Sequence, residues 1–199
     1  MKGLEGSPLG DSEKAAICAL LARLFAGELD PALYRQLRSV GGDGLSWFEP
    51  ALLALPEADA VEALSVEYCR LFIGPQPPCP PYASAQLGAA LLGGRPRMRL
   101  EAFLARQGVP LPDEAWRVAS PDHVAVELAV LAHLYATGAP AAVIAEFLSD
   151  HLLSWAPGFL HRVEAASRYQ LYRVAAGLAA ALLEAAAHKP LDLHPKSAI

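Results

Sequence analysis

The chain has 199 residues and a formal net charge of −5, a length that supports one well-buried core and an acidity that argues against nucleic acid as a partner. Alanine and leucine supply 72 residues, whereas valine, isoleucine and threonine together supply 16, so propensity favours helix over strand. The longest apolar run, 174–183, is shorter than the roughly 18 residues of a transmembrane segment, and the first residues do not resemble a secretory signal. We expect a single all-α domain over 1–199 in the cytoplasm, with a core of about 10–187 and frayed termini.

The first half of the chain predicts four helices. Apolar residues recur at helical spacing from Ile17 to Phe25, and Gly27 follows as a helix end. Asp30 and Pro31 form a cap and first-turn pair that opens the second helix. The predicted segments are 12–26, 31–40, 45–55 and 57–73.

In the second half, the strongest helix start is at Ser120, Pro121 and Asp122. These residues supply a hydroxyl cap, a first-turn proline and a carboxylate at the positive end of the helix dipole, so we expect Asp122 to be exposed at a helix N-terminus. Pro157 is expected to end the preceding helix before a long last helix begins. The predicted segments of the second half are 83–92, 98–107, 120–136, 141–155 and 161–187. Together with the four segments of the first half, they predict a bundle of about ten helices.

A possible catalytic set follows this start. His123 and Glu127 are i and i+4 neighbours, so they share one helix face with Asp122 close by. That set suits a metal site or a general-base pair, and a helical metal-dependent hydrolase is one hypothesis. The HExxH spacing is absent and no third ligand of known geometry is evident. Capping, a first-turn hydrogen bond and a buried polar contact explain the same residues without catalysis, and we expect no metal or cofactor.

The segment 74–82, GPQPPCPPY, interrupts the helical pattern. Its prolines have a fixed φ and no N–H group, which favours an extended polyproline course. The PxxP spacing suits a ligand of an aromatic-lined module, so a scaffold that displays PxxP is a second hypothesis. The segment is short, lies between two apolar helices and ends in Pro81 and Tyr82, which favours an ordered internal connector.

The chain carries one basic cluster, formed by Arg95, Arg97, Arg99 and Arg106. A solvated helix face explains such a cluster, and we assign it no role. The acidic surface as a whole suits a cationic partner better than an anionic one.

Three separated blocks resemble the twin-arginine-associated redox enzyme maturation chaperones, the TorD/DmsD/NarJ type. The first block is EYCRLFIGP at 67–75, continued by PYAS at 81–84. The second is SPDHVAVEL at 120–128, and the third is HLLSWAPGFL at 151–160, followed by a closing helix. The order and spacing of the blocks cover roughly residues 10–187.

The resemblance implies an all-helical chaperone without catalytic activity. Such a chaperone binds the twin-arginine signal peptide of a molybdoenzyme precursor, assists cofactor insertion into the apo-enzyme and delays export until then. The resemblance allows a monomer or a dimer formed by exchange of helices. The binding surface of the family maps onto Tyr68, Phe72, Pro81, Tyr82, Ser84, Asp122 and His123.

The chemistry of such a peptide adds further candidates. Two guanidinium groups followed by an apolar segment require carboxylates beside an apolar groove. Asp122, with Glu127 or Glu67, is a candidate for the first part. Arginine stacking on a ring is a further option. The candidates for the apolar groove, whose rings could also stack on arginine, are Tyr68, Phe72, Tyr82 and Trp155.

If the resemblance holds, we expect the proline segment to form a rigid wall of the peptide groove. The chain departs from many relatives just after this segment, where Ala83, Ala85 and Gln86 replace acidic and aromatic residues. The identity of the partner molybdoenzyme therefore stays open.

Overall fold

The computed structural model describes residues 9–40 and 46–187, and the described ranges contain ten α-helices and no strand. The predicted all-α fold is confirmed. None of the helices in these ranges has both the length and the apolar character needed to cross a bilayer. Two π-helical turns, Cys69–Ile73 and Leu148–Leu152, and the 3₁₀ turn Asp113–Trp116 complete the elements. The helices are α1 Asp11–Ala26, α2 Pro31–Val40, α3 Pro50–Leu53, α4 Glu57–Tyr68, α5 Ala83–Gln86, α6 Gly94–Gln107, α7 Val124–Ala136, α8 Ala141–Phe147, α9 Ala156–Ala166 and α10 Gln170–Ala187.

Helix α7 is the centre of the fold. Ten of its 13 residues are buried, as expected for a helix that is apolar on nearly every side. Helix α1 packs along most of α7. Small buried side chains on α1, at Ala15, Cys18 and Ala22, recur at helical spacing and allow this close approach. The position of α7 therefore fixes whatever its first turns carry.

An aromatic cluster joins α1, α4, α9 and α10. It consists of Phe25, Tyr68, Phe72, Phe159 and Tyr172, with ring centroids 5.0–6.3 Å apart. The Tyr68 hydroxyl donates to the Phe25 carbonyl at 2.9 Å, and that of Tyr172 also donates to a backbone carbonyl, at 3.2 Å. Buried tyrosines need such partners, so both rings belong to the core.

A buried ion pair ties the end of α4 to the turn between α9 and α10. The Glu67 carboxylate, 2% exposed, accepts two hydrogen bonds from the Arg70 guanidinium and one from the Arg168 backbone N–H, each at 2.7 Å. Arg70 also donates to the Ala166 carbonyl at 2.7 Å. Burial alone would raise the pKa of Glu67, but the bonds from Arg70 and Arg168 outweigh it and lower that pKa. Glu67 is thus committed to the fold.

Several predicted helix boundaries are wrong. The segment predicted as 83–92 is helical only from Ala83 to Gln86, since Gly88 adopts a positive φ two residues later. Of the segment 45–55, only Pro50–Leu53 is helical, and residue 45 lies outside the described residues. The last segment is two helices rather than one. Helix α9 begins earlier than predicted because Pro157 occupies its first turn, where proline is tolerated, and it ends at Ala166 because Ser167 has an extended backbone. The predicted frayed termini fall mostly outside the described residues.

Arg70→Ala tests the buried ion pair. Removing the arginine leaves a carboxylate in the core with only a backbone partner, so the free energy of unfolding in urea should fall by about 3 kcal/mol. The matched control is Arg97→Ala, which breaks the exposed pair with Glu101 and should cost less than about 1 kcal/mol. Equal small losses in the two variants would contradict a structural role for Glu67.

Candidate functional site

The proline segment is attached directly to the start of α7. Tyr82 and His123 form an antiparallel bridge. The Val124 N–H donates to the Pro81 carbonyl and the Ala83 N–H donates to the Asp122 carbonyl, both at 2.9 Å. Proline has no N–H but retains its acceptor, so Pro81 can end an extended segment and still take part in this bridge. Pro81 is buried in this contact, whereas Pro75 and Pro78 at the other end of the segment are exposed.

The Asp122 side chain secures the same junction. Its Oδ2 accepts a hydrogen bond from the Ser84 N–H at 2.9 Å, in the first turn of α5, and the Ser84 Oγ accepts one from the Gly93 N–H at 2.9 Å. The Asp122 carboxylate therefore caps α5 from a distant part of the chain. Its Oδ1 has no hydrogen-bond partner among the described residues.

The expectation that Asp122 is exposed at the start of its own helix is wrong. Asp122 is fully buried, and α7 begins only at Val124. His123 is the N-cap, and its Nδ1 accepts a hydrogen bond from the Ala125 N–H at 3.0 Å. Ser120 and Pro121 precede the helix because the chain at 122 and 123 is engaged in the bridge.

Gly93 closes this junction from the other side. Its φ of 85° lies in the left-handed region. A Cβ at this position would lie 2.8 Å from the Ser120 Oγ, so even alanine would require a shift of the neighbouring chain. Glycine here lets the segment between α5 and α6 approach the start of α7.

His123 is held as a structural, neutral side chain. Burial lowers its pKa to about 3, and the Tyr82 ring lies edge-on to it with centroids 4.8 Å apart. The Tyr82 hydroxyl accepts a hydrogen bond from the Ala119 N–H at 3.2 Å. Within 9–40 and 46–187, no three His, Cys, Asp or Glu side chains come together as a group that could hold a metal ion.

A cleft of about 630 Å³ opens above this junction. One side is the segment from α5 to the first turns of α6, and the other is the floor made by α7 and the turn before α9. Most of its lining is apolar, with charged groups at the rim. The lining residues are Ala83, Leu87, Ala89, Ala90, Leu91, Gly94, Arg95, Pro96, Arg99, Glu127, Asp150, His151, Ser154 and Trp155.

A buried carboxyl group and an indole form the floor of the cleft. The Trp155 Nε1–H donates to the Glu127 Oε2 at 3.0 Å, and Glu127 is 1% exposed. Burial raises the pKa of Glu127 well above its ordinary value; the Trp155 bond opposes this, and the negative charge of Asp122 adds to it. The floor therefore favours an uncharged carboxylic acid.

The rim of the cleft combines exposed leucines with charges of both signs. Leu91 is 78% exposed, and Leu87 is also exposed. The Arg99 guanidinium and the Asp150 carboxylate lie 3.8 Å apart with both side chains largely in solvent. His151 stays neutral because burial, with Arg99 nearby, lowers its pKa to about 4. We call the part of the rim between α5 and α6, which carries Leu87 and Leu91, the lip. The lip is apolar, whereas the floor is polar and the rest of the rim is charged.

The structure brings most of the sequence-predicted residues together, in two layers. Glu127 and Trp155 line the cleft itself. Beneath it lies a supporting layer that does not line the cleft: Pro81, Tyr82, Ser84, Asp122 and His123.

Two predicted rings lie elsewhere. Tyr68 and Phe72 are buried in the aromatic cluster between α1, α4, α9 and α10, and neither lines the cleft. The proline residues of 75–81 are likewise absent from the lining of the cleft.

Sequence reasoning missed the lip and rim. Leu87 and Leu91 were placed on a helix that does not form, and Asp150 was not singled out. Arg95 and Arg99 were noticed as part of the basic cluster but given no role. The available signal was two leucines beside a Gly-Gly pair, in a stretch with no apolar periodicity of its own to bury them.

Comparison with known proteins identifies the family. The family model described as nitrate reductase delta subunit matches residues 16–161, which include every cleft residue. The chain belongs to the nitrate reductase delta subunit family. The predicted resemblance to redox enzyme maturation chaperones is thereby confirmed, because curated relatives of this chain carry the name of chaperones.

The relatives of this delta subunit family member cover different shares of its length. "Chaperone protein TorD" of Vibrio cholerae serotype O1 is 32% identical over 141 residues, which are 65% of this chain and 63% of that protein. The chain therefore aligns with less than two thirds of the length of that relative. "Chaperone protein YcdY" of Escherichia coli K12 is 26% identical over 175 residues, covering 84% of this chain and 90% of the relative. Both relatives are named as chaperones, which agrees with the expectation that the chain is not an enzyme.

A solved structure supports the fold of the delta subunit family. The crystal structure of an Archaeoglobus fulgidus protein, assigned to redox enzyme maturation, superposes with a TM-score of 0.54. It is 23% identical in sequence and covers 92% of this chain and 98% of its own. At this identity the likeness concerns the helical architecture.

Asp122→Ala tests the supporting layer. The substitution leaves the buried Ser84 N–H without its acceptor, while the backbone hydrogen bonds of the bridge remain, so the free energy of unfolding should fall by about 1–3 kcal/mol. Urea unfolding followed by circular dichroism measures the change. Asp150→Ala removes an exposed carboxylate at the rim and should shift stability by no more than about 0.5 kcal/mol. If both variants unfold at the same urea concentration, Asp122 does not support the fold.

Proposed function

We propose that this chain is a maturation chaperone that binds the twin-arginine signal peptide of a molybdoenzyme precursor in the cleft. Binding delays export of the precursor and assists cofactor insertion. The observation that carries the proposal is the cleft itself, in which a buried carboxyl group and an indole lie directly below exposed leucines. Family membership and the names of the relatives support the same conclusion.

The polar part of the cleft suits an arginine side chain. Glu127 makes a side-chain hydrogen bond only to Trp155 among the described residues, through Oε2, so Oε1 remains available to a guanidinium donor. The Trp155 ring beside it offers a face for stacking. Asp150 at the rim supplies a second acceptor, so the cleft offers one carboxyl group to each of two neighbouring arginines.

The apolar lip suits the segment that follows the arginines. Leu87, Leu91 and Leu92, between α5 and α6, and Met98 on α6 are 50–78% exposed. Several large apolar side chains exposed so close together in sequence suit an interaction surface. Covering one leucine contributes about 1.5–3 kcal/mol of burial free energy, part of which is lost in ordering the peptide.

The size of the cleft limits how much of the peptide can enter it. A volume of about 630 Å³ is that of an ordinary ligand pocket, which holds a few side chains and not a whole leader. The arginines therefore enter the cleft, and the apolar segment lies across the lip.

Leu91→Glu tests binding at the lip. The residue is exposed, so the variant should fold normally, but a carboxylate would be desolvated against the apolar part of the peptide. Isothermal titration calorimetry with a synthetic peptide of two arginines and an apolar stretch should show affinity reduced about tenfold or more. The same peptide with lysines in place of both arginines should bind the unmodified chain more weakly, because an ammonium group lacks the bidentate fork.

Val66→Glu is the matched control for the lip variant. Val66 is 64% exposed on α4 and lies in a separate hollow with Asp59 and Glu62, so its substitution should leave affinity unchanged. A loss in Val66→Glu with none in Leu91→Glu would place the peptide in that hollow. If none of the twin-arginine peptides tested binds the chain, the proposed function is contradicted.

A further inference from the structure

The floor of the cleft holds an acid without a counter-ion. Glu127 is almost completely buried, points into the cleft and forms no ion pair with any arginine, lysine or histidine of the described residues. The other buried carboxylate of this size, Glu67, is matched by Arg70. A buried carboxyl group without a cation lowers its free energy by retaining its proton.

The groups around Glu127 reinforce this state. From the segment before α7, the negative charge of Asp122 opposes ionisation, and His123 is neutral. From the π turn Leu148–Leu152, His151 is neutral and the Asp150 carboxylate lies at the rim.

Neighbouring helices supply no counter-charge at the floor. The guanidinium groups of Arg95 and Arg99, on α6, line the cleft at its exposed rim. The Lys14 ammonium of α1 lies over the Tyr135 ring, about two turns along α7. The 3₁₀ turn that packs against α7 carries two acidic side chains, Asp113 and Glu114. Negative charges there would oppose the ionisation of Glu127 and cannot act as its counter-ion. Among the described charges, only that of Asp122 acts on the Glu127 pKa.

We propose that the cleft takes up an arginine in exchange for a proton: Glu127 is a neutral acid in the empty cleft and a carboxylate in the complex. The proton of the Glu127 carboxyl group passes to solvent, and the guanidinium of the peptide replaces it as the partner of the carboxylate. The inference rests on the proposed function, since it assigns the chemistry of binding at the same site. The only covalent change is this proton transfer, in which the carboxyl O–H bond breaks and a water molecule accepts the proton.

Arginine is the cation suited to this exchange. Its guanidinium keeps its charge in an apolar site, whereas an ammonium group in the same place can itself give up a proton. The ion pair formed in the closed cleft is strengthened by low solvent access and by the Trp155 N–H bond to the same carboxylate. Proton release thus favours a peptide with arginine over one with lysine.

The exchange makes binding depend on pH in a defined direction. Because the proton must leave, affinity rises with pH while Glu127 is protonated in the free protein, by up to about tenfold per pH unit, and levels off above its pKa. His151 and His123 contribute little to this slope near neutral pH, since their pKa values are lowered to about 4 and about 3.

Titration calorimetry in buffers of different ionisation enthalpy tests the exchange. The probe is the synthetic twin-arginine peptide, and the slope of the observed enthalpy against buffer ionisation enthalpy gives the protons released, expected to approach roughly one per peptide at pH values below the Glu127 pKa. Glu127→Gln keeps an acceptor for Trp155 but has no proton to lose, so release and the pH slope should vanish and affinity should fall about ten- to a hundredfold. Glu101→Gln, an exposed residue paired with Arg97, should behave like the unmodified chain.

Each outcome bears on a different claim. Binding without proton release overturns the exchange and leaves the proposed function standing. Release that persists in Glu127→Gln assigns the proton to another group and overturns the role of Glu127. If the variant does not fold, the pH slope of the unmodified chain decides alone, and a flat slope overturns the exchange. Absence of binding by the peptide overturns both the function and the exchange.

Discussion

The cleft depends on the contact between Asp122 and the first turn of α5. The side chain of Asp122 accepts from the Ser84 N–H and its carbonyl accepts from the Ala83 N–H, so one residue holds both backbone donors. These donors are among those that a helix start leaves without partners. Because α5 leads into the segment that forms one side of the cleft, the same contact sets the distance between the lip and the floor.

Helix α7 connects that contact to the chemistry of the floor. His123 caps the helix and Glu127 follows one turn later, so the anchor and the buried acid are fixed relative to each other by helical geometry. The heavy burial of α7 against α1 prevents adjustment by rotation. Trp155 completes the floor from a distant stretch, just after the π turn Leu148–Leu152, whose Leu153 N–H donates to the Leu148 carbonyl at 2.8 Å. π turns are frequent at functional sites, because the extra residue redirects the side chains that follow.

The sequence was sufficient for the helical fold and for the family. The long helices α1 and α7 consist mostly of residues that favour helix, and they were predicted closely at three of their four ends. The three motif blocks were also correct as neighbours, since the Ser84–Asp122 and Glu127–Trp155 hydrogen bonds join them in space.

The function of individual residues within the blocks was less predictable. Asp122 looks like an exposed helix cap in sequence, because nothing local reveals that Ser84 takes its carboxylate. Tyr68 and Phe72 look like groove residues, but the aromatic partners that bury them come from α1, α9 and α10. The exposure of Leu91 was not predicted for the opposite reason. Its stretch has helical propensity, but no helix forms there. In each case a long-range contact, or the lack of one, outweighs the local signal.

The central claim is that the peptide lies in the cleft between the chain at 83–99 and the floor at Glu127 and Trp155. A twin-arginine peptide with a photoreactive benzophenone side chain directly after the second arginine tests it, with the cross-linked residues identified by mass spectrometry. We expect cross-links within 83–99 and 150–155, where the lip and the floor meet. Cross-links concentrated at Asp59 to Val66 and at Tyr169, the residues of the hollow on α4, would contradict the account.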